Sequence, residues 1–132
     1  MPGRLTRRLA AAGVAAAATL LAAAPAHAAV SGCSAWVLYQ QRACASSDGD
    51  TVTGSVEVGP NARGWYGYVA VDGPAGTELA RSGVQGLGKN GSLSVTWTAG
   101  TNAPAGRYCA IDWRYDVYHQ NYFVEAKYCL DR

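Results

Sequence analysis

Beyond an amino-terminal leader, the sequence predicts a small all-β protein: a disulfide-bonded antiparallel β-sandwich of about seven strands, immunoglobulin-like. Three observations predict it. Apolar and polar residues alternate with period two through most of the chain. Gly, Pro, Asn and Asp interrupt that alternation roughly every eight to twelve residues, the rhythm of short strands and turns. Four cysteines in a short chain with an export leader read as two bridges. A small closed β-barrel is the alternative architecture.

The elements follow in order. A first strand is expected within residues 35–42. Thr51 to Val58 places Val52, Val56 and Val58 on one face, with Thr51, Thr53, Ser55 and Glu57 on the other. Trp65 to Asp72 sets Trp65, Val69 and Val71 against Tyr66, Tyr68 and Ala70. Gly73-Pro74-Ala75-Gly76 is a turn, because Pro presets φ and Gly accepts positive φ. A short strand spans Thr77 to Ser82. Gly83 to Gly91, with four glycines, reads as a loop. Ser92 to Thr98 is the clearest strand, with Leu93, Val95 and Trp97 alternating with hydroxyl residues. A loop at Ala99–Gly106 leads into Arg107–Val117, and Tyr122–Leu130 closes the chain.

The leader is residues 1–28. Arg4, Arg7 and Arg8 precede an apolar run from Leu9 to Ala24, Pro25 breaks it, and Ala26-His27-Ala28 is a small-x-small cleavage pattern. The run is about 16 residues, short of the roughly 20 that span a bilayer. Cleavage after Ala28 leaves a single domain, residues 29–132, that is secreted. Eight cations then face nine carboxylates, a formal charge of −1 against +2 for the whole chain. That balance gives no electrostatic footprint for nucleic acid. Val30-Ser31-Gly32-Cys33 resembles a lipoprotein box, but lipidation at Cys33 would leave an odd number of cysteines, so the lipid-anchored form is not expected.

Cys33 with Cys44 and Cys109 with Cys129 is the favoured pairing. One conflict attends it. Cys109 shares a face with Ile111, Trp113 and Tyr115, whereas Cys129 alternates out of phase with Tyr122 and Val124. Residues directly opposite must point the same way. A β-bulge in one strand resolves the conflict; otherwise Cys109 crosses to Cys33 or Cys44.

Catalytic chemistry finds little support. After processing, His119 is the only histidine, and no Gly-x-Ser-x-Gly elbow is present. Asp112 and Asp116 would stand about 13 Å apart along one strand face, too far for a carboxylate pair. Asp48 and Asp50 sit in a turn sequence with too few oxygen ligands for calcium. No Cys-x-x-Cys suggests zinc. No enzyme activity, cofactor or metal is expected.

The informative segment is residues 113–122, in which Trp113, Arg114, Tyr115, Tyr118, His119 and Tyr122 form a candidate partner-binding set at a hairpin tip. Trp, Tyr and Arg dominate binding hot spots. The triplet Trp113-Arg114-Tyr115 resembles that of the tendamistat-type α-amylase inhibitors, small exported two-disulfide β-sandwiches. In that family the triplet lies in the first disulfide loop; here it lies between the third and fourth cysteines. Cys33-Ser34-Ala35-Trp36-Val37 with Ala43-Cys44 resembles a disulfide loop of the enediyne apoproteins, whose second cysteine pair closes a shorter loop than Cys109–Cys129. Neither resemblance extends to the full cysteine spacing, and no family is assigned from it.

The expectation is therefore a secreted, monomeric, non-catalytic binding protein. Its partner is an extracellular protein, a hydrolase inhibited by the aromatic tip being the leading version. A cell-wall or polysaccharide-binding module is the second reading, because Trp36, Trp65, Tyr66, Tyr68 and Trp97 offer flat aromatic faces to sugar rings. Trp97 sits on an apolar face and reads as core, and Tyr66 and Tyr68 lie opposite Trp65 and Val69, so one of those pairs faces outward. A small secreted hydrolase is the third.

Overall fold

The computed structural model describes residues 29–99 and 103–132. The leader lies outside the described residues. Among the described residues there are nine strands: β1 (Val30–Cys33), β2 (Gln41–Asp48), β3 (Thr51–Val58), β4 (Trp65–Asp72), β5 (Glu78–Arg81), β6 (Gln85–Leu87), β7 (Ser92–Thr98), β8 (Arg107–Asp116) and β9 (Asn121–Asp131). They form two antiparallel sheets, one ordered β1-β2-β3-β7, the other β5-β4-β8-β9 with β6 also paired to β4. The expected all-β, two-disulfide architecture is present as two sheets rather than one closed barrel. No helix among the described residues is long and apolar enough to cross a membrane.

Period two decides which face of each strand is buried. In β3 the even-numbered residues Val52, Gly54, Val56 and Val58 point inward. In β4 Trp65, Val69 and Val71 do so. One core cluster joins Ala45 and Val52 of the first sheet to Val71, Tyr108, Ala110 and Leu130 of the second. The other gathers Val56, Val58, Ala62, Trp65, Val69 and Leu93. Each fully buried valine stabilises the fold by roughly 1.5–3 kcal/mol through area removed from water.

The strand count corrects two expectations. Residues 34–40 are a loop, not a strand, and two strands flank it. The inward face of β2 is Gln41, Ala43, Ala45 and Ser47, all buried. These residues carry no aliphatic alternation, because large side chains of β9, Tyr128 and Leu130, fill the space opposite small ones. The Tyr128 hydroxyl occupies the place a side chain at Gly32 would need. The glycine-rich stretch after β5 contains β6, three residues paired to Trp65, Tyr66 and Gly67, whose Leu87 packs against the core. A three-residue strand with one apolar side chain among glycines leaves no periodic signal.

The disulfides join Cys33 to Cys44 and Cys109 to Cys129, each between directly opposed residues of a hairpin. In β8–β9 the register is Asp112 with Ala126 but Trp113 with Val124, so Glu125 is an extra residue in β9. This β-bulge is the device that reconciles the two phases. Cys129 and Lys127 face outward on one side of it, Val124 and Tyr122 on the other.

Candidate functional site

The outward face of β4, β8 and β9 is built of aromatic rings. β4 contributes Tyr66 and Tyr68, β8 contributes Trp113 and Tyr115, and β9 contributes Tyr122. Register sets Tyr68 opposite Trp113 and Tyr115 opposite Tyr122. Tyr68 and Trp113 stack, with centroids 5.9 Å apart at 18°. The other contacts are edge-on or tilted: Tyr66–Tyr115 at 6.1 Å and 81°, Tyr68–Tyr122 at 5.1 Å and 63°, Tyr115–Tyr122 at 5.1 Å and 60°. Such pairs add about 0.5–1.5 kcal/mol each beyond area burial. The Arg81 guanidinium lies 4.3 Å over Tyr68, completing its burial, and Glu78 holds Arg81 through two hydrogen bonds of 2.8 and 3.0 Å. Burial raises the Tyr68 phenol above its ordinary range, with Arg81 opposing.

Arg114 belongs to the other side of the sheet. Its guanidinium donates to Glu125 at 3.0 Å and lies 4.7 Å over the ring of Tyr39 from the β1–β2 loop. Glu125 is nearly inaccessible, and burial raises its carboxyl while Arg114 lowers it. Next to this pair, Asp112 is wholly buried. One of its oxygens accepts the Trp65 indole N–H at 2.7 Å; the other has no hydrogen-bond partner among the described residues. Burial pushes Asp112 up to about 7, against the indole hydrogen bond and with the Glu125 charge reinforcing the rise.

The tip is Val117 to Gln120, with Gln120 at φ 52°. Asp116 organises it. One oxygen accepts the backbone N–H groups of Tyr118 (2.8 Å) and His119 (3.3 Å), the other bonds His119 Nδ1 at 2.5 Å. These contacts hold the Asp116 carboxyl below the ordinary range. His119 and Asp116 thus form an exposed turn staple, and Tyr118 stands 92 % exposed beyond it. A shallow depression of about 270 Å³ lies between Tyr39 and the hairpin, bordered by Arg114, Val117, Tyr118 and Phe123.

The six residues expected to act together therefore divide in three. Trp113, Tyr115 and Tyr122 share the outward sheet face, Tyr118 and His119 occupy the tip, and Arg114 points to the opposite side. Period two in β8 carries this division, since residue 114 must oppose 113 and 115. Sequence reasoning missed Leu38 and Tyr39, which are 97 % and 56 % exposed, Tyr39 bordering the depression beside the hairpin. The run Val37-Leu38-Tyr39 read as strand; the positive φ of Gln40 ends it as a turn, with Gln40 N–H bonded to the Val37 carbonyl at 2.8 Å. It also missed the buried Asp112, which only the phase of β8 against β4 reveals. Cys33, Cys44 and Glu57 lie close enough to share a metal ion, but both sulfurs are joined in the disulfide. No family model matches the chain, and no curated protein or solved structure matches it.

Proposed function

We propose that this is a secreted, non-catalytic binding protein that grips an extracellular protein partner with the hairpin end of the sandwich. One observation carries the reading: two chain segments from different sheets, the β1–β2 loop and the β8–β9 tip, meet through Tyr39 and Arg114 and leave large apolar side chains in water. Leu38, Val117 and Tyr118 are 97 %, 67 % and 92 % exposed. Contiguous exposed apolar groups with a polar rim mark interaction surfaces. Leu and Val have no face on which a sugar ring stacks, which favours a protein partner at this end. The edge-on packing of Tyr66, Tyr115 and Tyr122 weighs against the outward sheet face as a flat sugar platform.

At finer grain we read the fold as immunoglobulin-like. The Tyr108 hydroxyl donates to the Pro104 carbonyl at 2.7 Å just before β8, like a tyrosine corner, and Trp65 is buried at the start of β4. The leader and two disulfides fit an oxidising, extracellular location.

The test is direct binding and inhibition against a panel of purified secreted glycosidases and proteases. A complex weakened about tenfold or more by Tyr118→Ala and by Leu38→Ala is the expected result. Binding that survives both substitutions removes the hairpin end from the proposal. Turnover of any panel substrate by the protein itself would overturn the non-catalytic reading.

A further inference from the structure

The outward face of the other sheet is built differently. Register places three hydroxyl pairs across β3 and β7: Thr51 with Thr98, Thr53 with Thr96, Ser55 with Ser94. Thr53 and Thr96 bond each other at 2.8 Å. Solvated strands commonly carry Lys and Glu on such a face, whereas here the ladder holds no charge until its last rung. There Glu57 faces Ser92 and is neutralised by Arg42 at 2.7 Å. Arg42 in turn lies 4.4 Å over the indole of Trp36, which stays 47 % exposed.

Two depressions open on this one face. The larger, about 350 Å³, lies between Trp36, Glu57, Pro60, Asn90 and Ser92. The smaller, about 170 Å³, sits beside the Cys33–Cys44 bridge and is bordered by Ser46, Thr53 and Ser55. From Ser92 to Thr98 the ladder runs about 20 Å at some 3.3 Å per residue. Among the described residues β7 is an edge strand, and no further strand closes that flank of the ladder.

We propose that this face binds a linear, uncharged polysaccharide, with Trp36 as the stacking platform and the Ser/Thr ladder of β3 and β7 lying along the chain. The face offers hydroxyls that donate and accept, matching a polyol. The charges of Arg42 and Glu57 at its last rung are already paired with each other, so a charged polymer gains nothing there. Ser and Thr have few rotamers to lose, and the Thr53–Thr96 bond and the Arg42–Trp36 stack hold the surface before binding, which keeps the ordering cost low. The proposal shares only the β1–β2 loop with the hairpin end, through Trp36; the ladder itself lies on β3 and β7.

The experiment is a depletion isotherm of the mature protein on microcrystalline cellulose, chitin, insoluble xylan and starch granules. Retention on at least one is expected, reduced about tenfold by Trp36→Ala and several-fold by both Ser94→Lys and Thr96→Lys. All three positions are exposed, and thermal melts confirm that each variant is folded. Tyr66→Ala and Tyr118→Ala should bind as the native protein does. Retention on none of the four solids overturns the proposal. So does retention untouched by Trp36→Ala, retention untouched by both lysine variants, or loss in Tyr66→Ala, which would move the site to the opposite sheet.

Discussion

Asp112→Asn offers the sharpest test of the interior. Asp112 is fully buried, gives one oxygen to Trp65 Nε1–H, and titrates at about 7 instead of 3.8. The folded protein therefore holds the Asp112 proton more tightly than the unfolded chain does. Its contribution to stability is complete below pH 3.8 and is lost as pH rises through about 7. A gap of this size corresponds to about 4 kcal/mol, an upper bound because burial is relieved by local relaxation. Glu125, also raised by burial, works in the same direction.

Asparagine keeps an acceptor for the Trp65 N–H and cannot ionise. Its added amide N–H has no evident acceptor, which costs about 1–3 kcal/mol at every pH. The expected result is a crossing: native protein more stable at pH 4–5, Asp112→Asn equal or more stable at pH 8. A 1 kcal/mol change moves Tm by about 4–5 °C in a domain of this size. Thermal melts at half-unit steps from pH 4 to pH 8.5 should show the native Tm falling relative to the variant by some 10 °C or more. Parallel pH profiles for the two proteins would refute the argument and place the Asp112 pKa near that of an ordinary carboxylate.

Other expectations follow from the same geometry. Replacing Cys109 and Cys129 together by Ser should cost about 3 kcal/mol, from the loop of 20 residues they close, read as a lowered midpoint in urea. Gln41→Met should raise that midpoint by the equivalent of about 1–2 kcal/mol, since the buried Gln41 amide has no hydrogen-bond partner among the described residues. Deleting Glu125 removes the extra residue and leaves β9 in unbroken alternation, so Cys129 still meets Cys109 and Tyr122 still meets Tyr115. A free-thiol assay should find no free thiol, and near-UV circular dichroism should change only through the loss of the Arg114 partner and the loosened Arg114–Tyr39 contact. Intact mass of the protein from culture medium should correspond to a chain beginning at Ala29; a lipid adduct at Cys33 would instead return the anchored form.

Much of this fold was legible because aliphatic residues carry its phase. β3, β4, β7, β8 and β9 are all marked by Val, Leu, Ile or aromatic residues at alternate positions, and their expected bounds agree with the observed ones to within a residue or two. β2 was hidden because its buried face is Gln41, Ala43, Ala45 and Ser47, chosen by the bulk of Tyr128 and Leu130 across the sandwich. That complementarity lies between residues more than 80 positions apart in the chain, where local periodicity carries no information. β6 was hidden because backbone pairing to β4 requires no particular side chain.

The site was legible in composition and illegible in direction. The segment 113–122 announces itself by its aromatic content, yet a list of residues does not say which of them share a surface. Two geometric facts decide that. Alternation sends Arg114 away from Trp113 and Tyr115, and the unpaired Glu125 resets the phase of β9, so that Tyr122 meets Tyr115 while Cys129 still meets Cys109. The bulge thus gives one hairpin two ends with different work: a disulfide that fixes the base, and an aromatic face and tip turned toward solvent. It also draws Glu125 inward to hold Arg114, and through Arg114 the ring of Tyr39. The convergence of loop and tip at the hairpin end therefore rests on the residue that the cysteine conflict pointed to. Without that extra residue left unpaired, this sequence could not set Cys129 opposite Cys109 and Tyr122 opposite Tyr115 at once, so the disulfide at the base and the aromatic contact near the tip are compatible only through the bulge in β9.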